Sequence, residues 1–364
     1  MMRATTLAAV PDPTALAPPL LCWYDANARD LPWRRTKDPY RIWVSEIMLQ
    51  QTRVDTVLRY YDRFLERFPT VHALADADEE AVRAVWSGLG FYRRARNLHR
   101  GARIVAHDLE GEVPNTAEGI LRIPGIGRYT AGAILSFAHD AKAPILDGNV
   151  IRVLSRLFRV EGAPDKAAVQ RVLWALAEDV LPDDRPGDFN QAQMDLGATV
   201  CTPIAPACAR CPLSQHCETG PAGDAETYPA PKRRRKVAMV RRVALRIDGP
   251  DGRFLLRRRP PDGLLPSLWT LPAAEVTGDP SSAIDLLARA LRCIHPPRLC
   301  ATAEHRFSHR HWTTEVHRVV GTGGEGTAND RWVHASDLVD LGVPTAARKE
   351  LKASEAAQMP LFGD

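Results

Sequence analysis

The sequence predicts a two-domain chain of mixed class: a mainly α domain over residues 20–218 and an α+β domain over residues 243–345. Three observations carry this reading. At 364 residues the chain exceeds one ordinary domain. Up to about Thr199 apolar residues recur at three and four positions, as in Val54–Phe68, Ala81–Leu89 and Val169–Leu181, which is the helical period. From Val243 the pattern changes to alternation and β-branched bias, in Val243–Ile247, Phe254–Leu256 and Glu315–Val320. Between the two lies TGPAGDAETYPAP, residues 219–231, a Gly-, Pro- and Ala-rich stretch that reads as a linker and extends to residue 242.

Composition narrows the class. Hydrophobic residues make up 45% and charged residues 25%, which is ordinary for a globular chain. No run approaches the roughly 18 apolar residues of a membrane span. The first nineteen residues hold one Arg and early prolines, lack a signal peptide's apolar core and read as a disordered lead-in. The net charge is only +4, but arginines crowd Arg93, Arg94, Arg96, Arg100 and Arg103, and KRRRK follows at Lys232–Lys236. Clustered basic residues suit a polyanion. Seven cysteines, four of them within 17 residues, argue for a metal site in a reducing cytoplasm rather than a disulfide framework.

Taken in order, Leu31 to Val54 reads LPWRRTKDPYRIWVSEIMLQQTRV. Glu46 stands among Trp43, Val44, Ile47, Met48 and Leu49. It is either on the exposed stripe of an amphipathic helix or buried, and a buried carboxyl stays protonated near neutral pH. Trp86 to His99, WSGLGFYRRARNLH, places aromatics and a glycine turn beside arginines. Such a segment is either a solvated helix or a nucleic-acid contact, with guanidinium groups on phosphates and a ring wedged between bases.

The segment from Ile123 to Val150, IPGIGRYTAGAILSFAHDAKAPILDGNV, is the centre of the chain. Gly125 and Gly127 permit a tight turn, and the Ala-, Ile- and Leu-rich run Thr130–Ala138 predicts a helix directly after it. A turn feeding a helix N-terminus aims several N–H groups one way and can hold phosphate. Asp147 precedes another apolar-periodic run, Val150–Phe158. It reads as an N-cap or as a functional carboxylate.

Cys201, Cys208, Cys211 and Cys217 are spaced C-x6-C-x2-C-x5-C. Four thiolates in one loop suit a soft cation, and spacing alone leaves iron–sulfur and zinc open.

These strings together resemble the helix-hairpin-helix DNA glycosylases, most closely the MutY adenine glycosylases, over residues 20–345. The resemblance implies a catalytic domain with a [4Fe–4S] loop on the four cysteines, followed by a Nudix-like reader domain, matched at LLRRRPPDGLLPSLWTLP (Leu255–Pro272). It implies excision of adenine opposite 8-oxoguanine, and opposite guanine, by base flipping in double-stranded DNA. Glu46 would be the catalytic acid and Asp147 the stabilising carboxylate, supported by Tyr129 and Asn149. Arg29, Leu31, Trp33 and Arg34 would line the adenine pocket. Gln51, Thr52, Leu89, Phe91, Ser308 and His309 would meet the lesion side, with Gly125 and Gly127 on the DNA backbone. A bacterial, nucleoid-associated monomer is expected.

The chain departs from the family's pattern in four places. Phe91 stands where many members carry Tyr. The interval TPIAPA between the first two cysteines has no basic residue. Gln191 stands where some members carry Glu. The helix around Ala283–Ile294 has no glutamate, so the reader domain lacks the acidic cage of a Nudix hydrolase. Other readings were a DNA-binding protein without chemistry, disfavoured by the pair Glu46 and Asp147; a Nudix hydrolase, disfavoured by that missing cage; and a bifunctional lyase, disfavoured because Tyr129 holds the position of the lyase lysine.

The last residues, 346–364, read as a polar tail. Gln358-Met359-Pro360-Leu361-Phe362 resembles the short peptides by which bacterial repair enzymes bind the sliding clamp, with Leu361 and Phe362 as apolar anchors.

Overall fold

The computed structural model describes residues 13–231, 236–293, 295–321 and 327–356. They form two compact units. One holds residues 13–75 and 100–231; the other holds 76–99 and 236–356. The segment Asp76–His99, placed by chain order in the α domain, therefore packs with the C-terminal unit. The clamp-like peptide Gln358–Phe362 lies outside the described residues, as does most of KRRRK.

In the first unit the helices are α1 (Pro13–Asn27), α2 (Pro39–Leu49), α3 (Val54–Arg67) and α4 (Val71–Ala75). In chain order α5 (Glu79–Val85) belongs to the second unit, and α6 (Arg93–Asp108) runs from the second into the first. The first unit continues with α7 (Ala117–Leu121), α8 (Arg128–His139), α9 (Gly148–Leu157), α10 (Ala167–Asp179), α11 (Pro186–Thr199) and α12 (Thr219–Ala222).

Two expectations at this end are corrected. The lead-in is helical from Pro13, and Leu16 and Leu20 are fully buried. Their spacing of four makes one apolar stripe that outweighs the prolines at 18 and 19. The linker is not free either: Thr219 and Ala225 are buried, and the Tyr228 carbonyl accepts from Arg156 Nε at 3.0 Å.

α2 begins at a cap predictable from its sequence: Asp38 accepts from Tyr40 N–H at 2.8 Å and Pro39 occupies the first helical position. The helix is then buried almost all round, from Tyr40 to Met48. Gly127 is the N-cap of α8, and Gly125 before it takes φ +86°, the left-handed turn that glycine allows.

The second unit is a seven-stranded mixed sheet in the order β3-β2-β1-β6-β5, with β4 also on β1 and β7 on β2. Its strands are β1 (Ala238–Asp248), β2 (Phe254–Arg258), β3 (Trp269–Thr270), β4 (Ala273–Val276), β5 (Arg298–Arg306), β6 (Arg310–Val320) and β7 (Asp330–Val333). β1 and β6 run parallel, from Ala238 against Arg310 to Asp248 against Val320; the other pairs are antiparallel.

The period of two sends alternate residues to opposite faces. Ala244, Phe254, Leu256 and Val316 pack with Ala347 and Leu351 of α14 (Thr345–Ala356). Leu245, Ile247, Leu255 and Val319 pack with Ile284, Leu287 and Leu291 on and just after α13 (Ser281–Ala290). The stretch expected as a polar tail from residue 346 is thus a helix closing one sheet face. Its polar composition hid an apolar stripe and a buried salt bridge, Glu350 to Arg242 at 2.8 Å.

Candidate active site

Glu46 lies on α2 with 2% of its surface exposed. Tyr129, in the first turn of α8, donates its hydroxyl to Glu46 Oε2 at 2.8 Å. Burial pushes the Glu46 carboxyl up to about 7; the Asp147 charge adds to the rise, and the Tyr129 hydrogen bond and Arg34 offset part of it. The Tyr129 phenol is held far above its ordinary value, first by burial and then by both carboxylates, so it remains a donor.

Asp147 caps α9. Its Oδ1 accepts from Asn149 N–H at 2.9 Å and Val150 N–H at 2.7 Å, and its Oδ2 accepts from Asn149 Nδ2 at 3.0 Å. Burial raises its carboxyl above the ordinary range, while these three donors and Arg152 favour the charged form. Glu46 has one hydrogen-bond donor where Asp147 has three, so its surroundings favour the charged form less than those of Asp147. The cap reading of Asp147 holds, and the same residue lines a cavity with Glu46.

Behind this pair runs a polar chain that sequence reasoning did not find. Arg152 NH2 donates to Asn149 Oδ1 at 2.9 Å and to the Gly197 carbonyl at 2.6 Å, and its Nε donates to the Cys201 carbonyl at 2.7 Å. α11 comes so near that a Cβ on Gly197 would stand 2.7 Å from Asn149 Cβ. Arg152, at one helical turn from Gly148, was readable only as an ordinary helix charge.

Two arginines of the cavity wall are held by a second unpredicted residue. Asp195 is fully buried on α11. It accepts from the Arg29 N–H and Nε at 3.1 and 2.6 Å and from both Arg34 terminal nitrogens at 2.6 and 2.8 Å. Burial acts to raise its carboxyl, but Arg34 and Arg29 outweigh that and hold it below its usual range. A fork of this kind fixes both arginines in plane.

Glu46, Asp147, Tyr129, Asn149, Arg29, Leu31, Trp33, Arg34, Gln51 and Thr52 all line one cavity of about 720 Å³, and Gln191 and Lys37 join them. Trp33 packs edge-on against Tyr61 with centroids 5.3 Å apart. The other predicted contacts lie elsewhere. Gly125 and Gly127 form the turn before α8. Leu89, Phe91, Ser308 and His309 belong to the second unit; Leu89 is buried, whereas Phe91, Ser308 and His309 are exposed. Arg94, expected among phosphate-meeting arginines, is instead buried, with its guanidinium 5.5 Å from the Trp86 ring and 5.3 Å from the Phe91 ring.

Cys201, Cys208, Cys211 and Cys217 surround a separate cavity of about 240 Å³. Among the described residues no three His, Cys, Asp or Glu side chains converge on a single-ion site. All four cysteines line this one cavity, beside Arg156 and Gly220. Arg156 NH1 points at Cys201 Sγ at 3.4 Å and Gly220 N–H at Cys217 Sγ at 3.4 Å, donors that favour thiolate. Burial pushes the Cys211 thiol up to about 11.

Two family profiles match the chain: the HhH-GPD superfamily base excision DNA repair protein over residues 44–179 and the NUDIX domain over residues 242–353. The fold and the paired carboxylates thus belong to a DNA base-excision repair enzyme. A thermostable thymine-DNA glycosylase of known structure is 31% identical, with a TM-score of 0.53 over 58% of this chain and 97% of that one. Curated relatives narrow the class: adenine DNA glycosylases of Rattus norvegicus and Homo sapiens are 36% and 34% identical over 95% and 96% of this chain and 79% and 76% of theirs. The Arabidopsis thaliana adenine DNA glycosylase is 40% identical over 72% of this chain, a match that spans about half, 48%, of the plant protein's length. The chain belongs to the adenine DNA glycosylase family. Among the described residues no helix is long and apolar enough to cross a membrane.

Proposed function

We propose that the chain removes adenine mispaired with 8-oxoguanine, and with guanine, from double-stranded DNA. The observation that carries the chemistry is the asymmetry of two carboxyl groups on one cavity: Glu46 with its acidity moved to about 7, Asp147 with three donors on its charged form. The adenine must leave the stack to reach them. Glu46 protonates the flipped base and makes it a leaving group. The sugar then carries oxocarbenium-like charge, and ionised Asp147 opposes it while water completes hydrolysis. Tyr129 orients Glu46, and Asn149 orients Asp147. Arg29, Leu31, Trp33 and Arg34 hold the base, and Asp195 keeps the two arginines fixed.

Gln51, Thr52, Leu89, Phe91, Ser308 and His309 are assigned to the base opposite adenine, and Gly125 and Gly127 to the DNA backbone. The four cysteines are assigned to a [4Fe–4S] cluster. All four line one cavity, and such a cluster would supply a cross-link between 201–217 and α9 through Arg156. A monomer acting on newly replicated DNA, with the Gln358–Phe362 peptide on a sliding clamp, completes the reading.

The test is a duplex with one adenine opposite 8-oxoguanine, incubated with protein and then treated with alkali. Strand breaks at the adenine are expected, and only after alkali, because Tyr129 cannot form a Schiff base. No break in wild type, or equal breakage by Glu46→Gln, rejects the assignment.

A further inference from the structure

Residues 76–99 precede the sheet by more than a hundred positions, yet they pack into the sheet's unit. Three sets of contacts do this. Trp269 Nε1, on β3, donates to Glu80 Oε1 at 2.7 Å, and Arg331 on β7 approaches the same oxygen at 3.7 Å. Arg83 is buried against Gly342, where an added Cβ would meet Arg83 Cβ at 3.0 Å and Leu268 Cδ2 at 3.2 Å. Ser87, itself buried, donates to the Val343 carbonyl at 2.6 Å and accepts from Arg348 NH2 at 3.3 Å. Arg348, on α14, also binds the Val343 carbonyl through Nε at 3.2 Å and the Leu338 carbonyl through NH2 at 2.9 Å.

Directly after Ser87 comes a turn that side chains hold in shape. Gly88, Gly90 and Phe91 all have positive φ, at 100°, 76° and 48°. Trp86 Nε1 donates to the Gly90 carbonyl at 3.0 Å, and Gly88 N–H donates to the Tyr92 hydroxyl at 3.2 Å. Arg94 NH2 donates to the Leu89 and Gly90 carbonyls at 3.4 and 3.2 Å. The result is one exposed ring, Phe91 at 47%, in a turn anchored by the fully buried Trp86. A non-glycine residue in the left-handed region is strained and persists only where its surroundings fix it.

We propose that Ser87 and Arg348 are positioning residues that lock the Gly88–Phe91 turn to the C-terminal unit, so that Phe91 is presented to the duplex by the same body that carries Ser308 and His309. This rests on the reading of Phe91 as a contact at the mispair. Its physical content is preorganisation: a turn already shaped by Trp86, Tyr92 and Arg94 is fixed by a serine hydroxyl and an arginine fork before DNA arrives. Arg348 acts through Ser87 and the Val343 carbonyl and touches no substrate.

The test uses full-length protein bound to a duplex that carries a non-cleavable 2′-fluoroadenosine opposite 8-oxoguanine, with 2-aminopurine beside the lesion as a fluorescent report of unstacking. Phe91→Ala is the reference and should lose the signal. Ser87→Ala and Arg348→Ala should each cut the signal, and the ratio of single-turnover rates opposite 8-oxoguanine and opposite guanine, by about fivefold, the scale of one lost hydrogen bond. Neither should add to Phe91→Ala. Ser87→Ala deletes one hydroxyl and leaves Arg348 on two carbonyls, so it reports even if Arg348→Ala folds poorly. A normal signal and ratio in Ser87→Ala, beside a lost one in Phe91→Ala, overturns the lock. So does an equal fall in both rates with the ratio kept. A normal signal in Phe91→Ala removes the reading of Phe91, and the lock with it.

Discussion

A buried acid destabilises the fold that holds it, and at Glu46 the size of the effect follows from the structure. The carboxyl is 2% exposed and its pKa rises from 4.5 to about 7. At about 1.4 kcal/mol per pH unit, that rise is on the order of 3 kcal/mol. The sign follows from linkage: the folded chain binds this proton more tightly than the unfolded one. The contribution is fully present below pH 4.5 and is lost as pH rises through about 7. Glu46→Gln removes the titration while keeping an oxygen for the Tyr129 hydroxyl. The variant should therefore match wild type near pH 4.5 and exceed it at pH 8 by up to ~3 kcal/mol, seen as a melting temperature several degrees higher. Adenine release should be abolished at every pH. In wild type, single-turnover release should fall on the alkaline side with an apparent pKa near 7. The assay is thermal unfolding of both proteins from pH 4.5 to 8.5, with excision measured in parallel. A stability difference that stays constant across that range would refute the buried-acid argument.

Four further outcomes follow. Asp147→Asn keeps the two backbone N–H bonds of the cap on its one oxygen but loses the charge and the acceptor facing Asn149 Nδ2; excision should slow at least a hundredfold, roughly the scale of one well-placed electrostatic group, with a fall in melting temperature no larger than one lost hydrogen bond gives. Asp195→Asn leaves Arg29 and Arg34 without their counter-charge and should cost about 3 kcal/mol, the usual penalty for breaking a buried ion pair from one side, measured by urea unfolding. Purified protein should carry about four irons per chain if the cysteines hold a [4Fe–4S] cluster; Arg152→Gln should lower both the iron content and the excision rate, read by absorbance and single turnover. Ser308→Ala with His309→Ala should reduce the preference for 8-oxoguanine over guanine more than it reduces excision opposite guanine, read as a rate ratio.

Much of the site was legible because chemistry needs particular residue types in fixed local strings. Glu46 in an apolar helix, Asp147 before α9 and the four cysteines are each a short-range pattern, and all three sit in built surroundings. What escaped was carried by long-range packing. Asp195 meets Arg29 and Arg34 across more than 160 residues, and no local pattern marks an acid in QAQMDLGAT as a clasp. Arg152 looks like any helical charge until α9 and α11 are brought together. At the ends of the fold, composition misled. Prolines at 18 and 19 concealed a helix whose Leu16 and Leu20 are buried, and the lysines and glutamates of Thr345–Ala356 concealed the apolar stripe of α14. The packing of residues 76–99 with the sheet could not be read at all, because sequence order says nothing of which body a segment joins.

The turn of α11 from Asp195 to Gly197, followed by Cys201, has a consequence for how sequence variation in this enzyme would be read. Within seven residues the chain clasps Arg29 and Arg34, abuts Asn149, which donates to Asp147, and supplies a cysteine. With the roles proposed above, a change at 195 would weaken capture of the base. A change at 197, where even a methyl group meets Asn149, would displace the carboxylate and slow bond breaking. A change at 201 would act through the metal loop. All three would score alike as loss of function in a mutation-frequency assay, although binding, bond cleavage and assembly have failed in turn. Neighbouring positions with the same phenotype would thus report three separate failures, separable by affinity, single-turnover rate and iron content.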